Sequence, residues 1–418
     1  MGTRDLLHRE LKGSVDFFLD YSNLEAGSPG YGLTVDATKD LHTASIAATG
    51  FALSGWVIAS ERGYLPRSRA IEITRGTLDT LLHRVPHHRG FFAHFVDMQT
   101  ALRRRRCEYS TIDTALCLNG VITAAAYFHE DAAIVEMAEA LLNRVDWRWL
   151  VFEEDGVALF RMAYNPDRDG DYVHGAPGFL GRWDMAAEQR MMYLQAAPHL
   201  ERDLARRLYA GFRRDRAEYA GYEAIVIPGG ALFAYQFTEA WLDSARFLDA
   251  DGIDWFENSR RATLANRLWC MSHGDRFSTY HALSWGASAG DSPWGYDVSG
   301  ALPALDDPKP NGTVSIYSAA SVISFTPEHS LPMLEYLVRE HPQTWGPYGF
   351  YDSYNTSVEP RWYSSALYGI GKGPSMLGIE NYLSGLIWDV YTGSAGIQQA
   401  LGILGFSESG GSPRGRAS

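Results

Sequence analysis

The sequence predicts an all-α fold, an (α/α)6 toroid in which six helical hairpins form an inner and an outer ring. Three observations predict it. About twelve stretches have helical periodicity, their connections alternate between very short and very long, and uncharged helices alternate with amphipathic ones. An uncharged helix of small and apolar residues belongs inside, and a helix charged on one face belongs outside. An irregular helical bundle is the alternative that this pattern leaves open.

The first helices set the pattern. Residues 41–60 contain Ala, Ser, Thr and Gly without a charge, and residues 111–128 carry only Asp113, so both are predicted as inner helices. Pro66 introduces the charged stretch 67–84, since proline favours the first turn of a helix. The later pairs repeat this alternation. In chain order the predicted helices are 6–21, 41–60, 67–84, 111–128, 132–145, 183–197, 201–216, 231–248, 253–271, 313–325, 326–341 and 374–391.

No boundary divides the body of the chain, so we expect a single catalytic domain over residues 1–406. The Ser-, Gly- and Arg-rich segment 407–418 is predicted to be a disordered tail. With 46% hydrophobic and 21% charged residues, the body can bury a large core.

The charge balance limits the partners. Lys and Arg number 37 against 50 Asp and Glu, and this net charge of −13 disfavours a nucleic acid or an anionic membrane. Three scattered cysteines give neither a disulfide framework nor a zinc site, and no metal or cofactor is predicted. No stretch resembles a signal peptide or a membrane span, so we expect a cytoplasmic protein. The aromatic share of 13%, with 12 Trp and 23 Tyr, favours a carbohydrate ligand, because sugars stack on such rings.

Three acidic residues are predicted to meet at one end of the toroid. Asp113 lies near the start of an inner helix, Glu188 one turn into another, and Asp352 in the loop before the last. Burying a carboxylate costs several kcal/mol unless it is paired or used in chemistry. Each acid taken alone is as well explained by a stabilising role at a helix N-terminus. Taken together they favour a glycosidase, which needs one acid and a second carboxylate.

Several sequence strings resemble the bacterial glucoamylase-like domain, which occurs in glycoside hydrolase family 144, the β-1,2-glucanases, and in cyclic β-1,2-glucan synthases. The resemblance covers residues 30–395, in the family's order. The strings are GFFAHFVD at 90–97, STIDTAL at 110–116, WDMAAE at 183–188, FENSRRAT at 256–263, GTV at 312–314, FTPE at 325–328, YGFYDSYN at 348–355, GP at 373–374 and IENY at 379–382.

The resemblance implies an (α/α)6 fold and hydrolysis of β-1,2-linked glucose chains with inversion. It implies that Glu188 is the general acid, that Asp113 is a carboxylate associated with activity, and that Asp352 organises or deprotonates the water. An oligo- or polysaccharide is the implied partner. The residues expected to bind it are Trp183, Trp285, Asp291, Tyr296, Trp345 and Tyr348, and core packing explains Trp183, Trp345 and Tyr348 at least as well.

The chain also departs from the family. The usual Ile-Asp-Gln-Gly-Pro before the last helix is Ile-Gly-Lys-Gly-Pro at 370–374, so Gly371 replaces a carboxylate at the rim of the pocket. Ala282 stands where the synthase branch has a Glu, which disfavours a reaction that uses this Glu as a nucleophile. Residues 195–199, QAAPH, differ as well. The alternatives are therefore a carbohydrate-binding protein without turnover, or an (α/α)6 glycosidase or lyase of different linkage specificity.

Overall fold

The computed structural model describes residues 2–168 and 177–409, and its framework is helical. Fourteen α-helices occur in this part of the chain, joined by six short 3-10 helices. The helices are α1 Thr3–Asp20, α2 Ile46–Glu61, α3 Arg67–His83, α4 Thr111–Tyr127, α5 Ala132–Asn143, α6 Arg190–Ala196, α7 Arg202–Gly211, α8 Phe237–Trp241, α9 Trp255–Ser272, α10 Tyr317–Ser321, α11 Pro327–Glu340, α12 Gly369–Leu383, α13 Leu386–Gly393 and α14 Ala395–Leu404.

Short antiparallel strands occupy the long connections, where the sequence predicted only loops. They form small sheets of two to four strands. The strands are β1 Val35–Ala37, β2 Asp40–Ser45, β3 His87–His88, β4 Phe91–Phe92, β5 Phe95–Asp97, β6 Tyr109–Ser110, β7 Val151–Glu154, β8 Val157–Tyr164, β9 Phe179–Arg182, β10 Arg216–Tyr219, β11 Tyr222–Ile225, β12 Phe247–Leu248, β13 Ala289–Gly290, β14 Asp297–Val298, β15 Val314–Ser315, β16 Trp345–Gly346, β17 Gly349–Phe350, β18 Ser353–Asn355, β19 Trp362–Tyr363 and β20 Ser407–Glu408.

The helices α2, α4 and α12, which were predicted to lie inside, are buried over almost their whole length. Nearly every residue of α2 is buried, and Ser45 caps its first turn by accepting a hydrogen bond from the amide of Ala48. In α4, Ser110 accepts the corresponding bond from the amide of Asp113. The amphipathic helices α3 and α5 bury one face only, which places them outside this core.

Glycines let the central helices approach each other closely. A Cβ atom on Gly120 of α4 would lie 2.0 Å from the carbonyl oxygen of Gly50 on α2. Likewise, a Cβ on Gly373 of α12 would lie 2.2 Å from the Phe51 ring, and one on Gly378 would lie 2.5 Å from the carbonyl oxygen of Ser321 on α10. Since real Cβ contacts are never this short, only glycine permits this packing.

The central helices begin at a common end of the protein. The amide of Ile46, at the start of α2, donates to the carbonyl of His94 at 3.2 Å, and the His94 ring contacts Asp113 at the start of α4. Gly369, the first residue of α12, lies against Ala48 in the first turn of α2. Residues that precede these helices are therefore brought together.

Several predicted helices are shorter than expected, because their ends bond to neighbouring strands. The predicted helix 183–197 begins only at Arg190. The amide of Trp183 donates to the carbonyl of Phe160, and the amide of Ala186 donates to the carbonyl of Arg213, so these residues bond to other segments instead of to a helix. The prediction that Glu188 lies one turn into a helix is therefore wrong. Glu188 lies in the turn before α6.

The described body extends past the predicted domain boundary at residue 406. Ser407 and Glu408 form β20, which pairs with Phe247 and Leu248 of β12. The amide of Ser409 also donates to the carbonyl of Arg246 at 2.8 Å. The remainder of the predicted tail, 410–418, lies outside the described residues.

We predict that Gly120→Ala destabilises the protein by about 2 kcal/mol, because the new methyl group overlaps the backbone of Gly50. Gly402→Ala on α14 is the matched control. Nothing lies within 4 Å of its Cβ position, so this change should stabilise the protein by about 0.5 kcal/mol through helix propensity. Urea unfolding midpoints measure both effects, and equal midpoints for the two variants would contradict the packing argument.

Candidate active site

Asp113 is held at the start of α4 by two groups. Its Oδ2 atom accepts a hydrogen bond from the Ser110 hydroxyl at 2.6 Å, and its Oδ1 atom lies 3.5 Å from Nε2 of His94. The other nitrogen of this ring lies 2.8 Å from the Glu108 carboxylate. Burial alone would lower the pKa of His94, but the charges of Asp113 and Glu108 raise it to about 9. His94 is therefore an imidazolium between two carboxylates at neutral pH.

Asp36, on the short strand β1, belongs to the same cluster and was missed by the sequence analysis. Burial raises the pKa of Asp36 to about 6, with the charges of His94 and Asp113 acting in opposite directions. The one signal in the sequence is a lone acid between the apolar residues Val35 and Ala37, and a strand of three residues is too short to show periodicity.

Glu188 faces the Asp113 cluster from the turn before α6. Its backbone oxygen accepts a hydrogen bond from the Thr238 hydroxyl of α8 at 3.3 Å, which fixes the turn. Burial raises the pKa of Glu188 to about 7, and the negative charge of Asp113 contributes to the rise. The residue as a whole is partly exposed, although its carboxyl is desolvated.

Asp352 lies between β17 and β18, as predicted for the loop before the last central helix. Its Oδ2 atom accepts a hydrogen bond from the amide of Asp291 at 2.7 Å, and its backbone oxygen accepts one from the amide of Ile316. The side chain is buried, and burial raises the pKa of Asp352 to about 7 despite the bond from Asp291.

Asp291 is buried beside Asp352 and is paired with a cation. Its Oδ1 atom lies 2.6 Å from Nζ of Lys39, which is half exposed on the turn between β1 and β2. Its Oδ2 atom accepts a hydrogen bond from the Ser364 hydroxyl at 2.6 Å. Lys39 therefore balances one charge of the pair Asp291 and Asp352, and it was not identified from the sequence.

Tyrosines connect the two groups of acids. The Tyr296 ring lies 5.1 Å from the Tyr368 ring. The pKa of Tyr296 is raised by burial of its hydroxyl and then by nearby groups that include Asp352 and Asp36. Electrostatic interactions therefore link Asp352 to Tyr296, Tyr296 to Asp36, and Asp36 to Asp113.

The remaining predicted binding residues lie elsewhere. Trp183 is buried and its indole donates to the Thr111 hydroxyl at 3.0 Å, so it supports the start of α4. Trp285 has no exposed surface, which leaves its ring unable to contact a ligand directly. Trp345 packs edge-on against Phe350, and Tyr348 packs against α1 with its hydroxyl on Asp20 at 2.9 Å. The structure does not bring these four residues into the acidic cluster.

The two departures from the family lie in different surroundings. A Cβ atom on Gly371 would lie 3.0 Å from Oδ1 of Asp352, so this glycine opens space directly beside a predicted catalytic acid. Ala282 is exposed, and its carbonyl accepts a hydrogen bond from Arg267 of α9 at 3.2 Å.

A buried ion pair supports the Asp352 loop. Nζ of Lys372, on α12, lies 2.6 Å from Oε1 of Glu10 on α1, and both side chains are almost fully buried. The second oxygen of Glu10 accepts a hydrogen bond from the amide of Phe350 at 2.7 Å. Phe350 stands two residues before Asp352, so the pair fixes the backbone that leads to this acid.

Within residues 2–168 and 177–409, no cluster of three His, Cys, Asp or Glu side chains has a geometry that would hold a metal ion. The same part of the chain contains no helix long and apolar enough to cross a membrane.

The fold and the site place the protein in a class of helical proteins whose central helices are preceded by desolvated acids. The family described as putative glucoamylase matches residues 181–395, slightly more than half of the chain. The chain belongs to this family.

One curated relative is the exo β-1,2-glucooligosaccharide sophorohydrolase (non-reducing end) of Parabacteroides distasonis, which is 23% identical over 389 residues. The match covers 85% of this chain and 52% of that protein, so the chain spans about half the length of this relative.

Two solved structures share the fold. A putative glucoamylase from Bacteroides uniformis superposes with a TM-score of 0.84 at 22% identity, covering 98% of both chains. An endo-β-1,2-glucanase from Chitinophaga pinensis, solved with sophorotriose and glucose, superposes with a TM-score of 0.83 at 20% identity. That match covers 97% of this chain and 99% of the glucanase.

We predict that Asp352→Asn stabilises the protein by about 2 kcal/mol more at pH 8 than at pH 5. With its pKa raised from 3.8 to about 7, Asp352 favours the folded state below its unfolded pKa, and this contribution is lost as the pH rises through 7. Asparagine does not titrate. Urea unfolding of both proteins at the two pH values measures the difference, and the exposed Asp307→Asn should show none.

We predict that Lys372→Met destabilises the protein by about 3 kcal/mol, because it leaves Glu10 buried without its cation. Burial already raises the pKa of Glu10, and the loss of Lys372 raises it further, so the destabilisation should be larger at pH 8 than at pH 5. Lys12→Met, which removes an exposed pair with Asp16 on the same helix, should cost less than about 1 kcal/mol. Similar losses in both variants would contradict a special role for the buried pair.

Proposed function

We propose that the protein is a glycoside hydrolase that cleaves β-1,2-glucan or β-1,2-linked gluco-oligosaccharides by general acid-base catalysis. The observation that carries this proposal is Glu188, a partly exposed residue whose desolvated carboxyl has a pKa of about 7. A carboxylic acid that stays protonated near neutral pH can protonate a glycosidic oxygen. The printed activities of the Parabacteroides and Chitinophaga relatives support the substrate class.

The proposed architecture is an (α/α)6 toroid, with the even-numbered helices α2 to α12 inside and the odd-numbered helices α1 to α11 outside. The burial of α2 on all sides and the one-sided burial of α3, α5 and α11 support this assignment. The glycine contacts among α2, α4, α10 and α12 support a closely packed inner ring.

The acids have distinct roles in the proposed reaction. Glu188 donates a proton to the glycosidic oxygen while the bond from this oxygen to the anomeric carbon breaks. A water molecule attacks the anomeric carbon from the opposite face and passes its proton to Asp352, so the configuration inverts. The charge of Asp113, which is fixed by Ser110 and His94, favours the protonated form of Glu188.

Asp352 is suited to the second role because its surroundings hold its basic oxygens in place. The amide of Asp291 fixes Oδ2, while Oδ1 faces the space beside Gly371. With its pKa at about 7, a considerable fraction of Asp352 is ionised at neutral pH and can accept a proton. The missing carboxylate at Gly371 leaves Asp352 as the principal base on this side of the site.

We predict that Glu188→Gln reduces the hydrolysis of β-1,2-glucan by at least about 1,000-fold, because the amide cannot give up a proton. Binding of the glucan should persist. Proton NMR of the first products follows turnover and the anomer, and the α-anomer is expected from inversion. The wild-type rate should have a maximum near pH 7, since Glu188 must be protonated and Asp352 ionised.

Glu218→Gln, on the exposed strand β10, is the control and should hydrolyse the glucan at the wild-type rate. Hydrolysis that is unchanged in Glu188→Gln would remove Glu188 from the mechanism. Glucan binding by the wild-type protein without any hydrolysis would instead favour a carbohydrate-binding protein.

A further inference from the structure

Trp294 is unusually exposed for a tryptophan. Its exposed fraction is 68%, the highest among the large hydrophobic residues in the described part of the chain, whereas Trp56, Trp241 and Trp285 are completely buried. Exposure of a large aromatic ring forgoes the favourable burial that such a residue normally contributes. An exposed ring of this kind is typical of a binding surface.

The turn that carries Trp294 is fixed by hydrogen bonds. The amide of Gly295 donates to the carbonyl of Ser292 at 3.0 Å, and the Ser292 hydroxyl donates to the carbonyl of Gly295 at 2.6 Å. The amide of Trp294 donates to the same hydroxyl at 3.2 Å. Strands β13 and β14 pair on either side of this turn. The indole is therefore presented to solvent by an ordered hairpin.

Both ends of this hairpin are attached to the acidic cluster. On one side, the amide of Asp291 donates to Asp352 at 2.7 Å. On the other side, the Tyr296 ring lies 5.1 Å from the Tyr368 ring. Three residues along the chain can span at most about 11 Å, so the Cα atom of Trp294 lies within this distance of Asp291. The exposed ring is thus at the margin of the proposed active site.

We propose that Trp294 is the platform of a separate glucan subsite, on which a sugar ring outside the cleaved linkage stacks. This inference rests on the proposed glucanase function and adds a preference for long chains. A sugar ring presents an apolar face of C–H groups that packs against an indole, and its hydroxyl groups stay in water. A chain that reaches both Glu188 and Trp294 gains this contact, and a chain too short to reach Trp294 does not.

The test compares a long β-1,2-glucan with sophorotriose as substrates of the wild-type protein, Trp294→Ala and Trp294→Tyr. In Trp294→Ala, the ratio of kcat/KM for the polymer to kcat/KM for sophorotriose should fall about tenfold, mainly through KM for the polymer. Trp294→Tyr keeps an aromatic face and should recover most of this ratio. Met271→Ala, an exposed side chain at the end of α9, is the control and should leave the ratio unchanged.

Fluorescence tests binding independently of turnover. Because Trp294 is so exposed, acrylamide should quench its emission readily, and the long glucan should protect it. This protection should be absent in Trp294→Ala and should persist in Glu188→Gln. An unchanged kcat/KM ratio in Trp294→Ala together with active wild-type protein would overturn the subsite alone.

Two further outcomes distinguish a failure of the proposed glucanase function from a failure of the proposed Trp294 subsite. If the wild-type protein hydrolyses no β-1,2-glucan but the glucan protects Trp294 from quenching, the subsite stands and the glucanase function fails. If Trp294→Ala changes the oligomeric state in size-exclusion chromatography and leaves glucan binding intact, the ring belongs to a protein interface and the subsite is overturned.

Discussion

The close contact of glycines between the central helices is the constraint on which the rest of the structure depends. Gly50 and Gly120 bring the backbones of α2 and α4 together, and Gly373 and Gly378 do the same for α12. Because no side chain separates α2 from α4 at this contact, and α12 packs tightly against the Phe51 ring and the backbone of Ser321, the N-terminal ends of α2, α4 and α12 lie close to each other. The loops that precede them then converge, and the acids carried by these loops share one site. The positions of these acids therefore depend on glycines, which have no side chain.

The site combines several buried acids with two cationic side chains. Burial raises the pKa values of Asp36, Glu188 and Asp352 to about 6 or 7. The protonated His94 and the ammonium group of Lys39 offset part of this accumulation of acids. Such a site is less stable than an apolar one of the same shape, and the helical framework beneath it has to supply the difference.

The sequence predicts the helical framework and the three acids because both depend on local patterns. The uncharged stretches of α2 and α4 and the acid at the start of α4 are visible without any structure. The positions of Asp36 and Lys39 beside the predicted acids cannot be seen in the sequence. They depend on the pairing of β2 with β5, which are about fifty residues apart in the chain. The position of Glu188 before α6 also depends on tertiary hydrogen bonds, which shorten a helix that periodicity alone extends.

The pair of Glu10 and Lys372 joins residues that are 362 positions apart in the chain. Glu10 on the first helix accepts a hydrogen bond from the amide of Phe350 in the Asp352 loop, and its charge is balanced only after Lys372 has been synthesised. A chain emerging from the ribosome therefore cannot form this ion pair, which supports the Asp352 loop, until nearly all of it has been synthesised. The segment around Asp352 consequently lacks this support in a nascent chain that ends before Lys372.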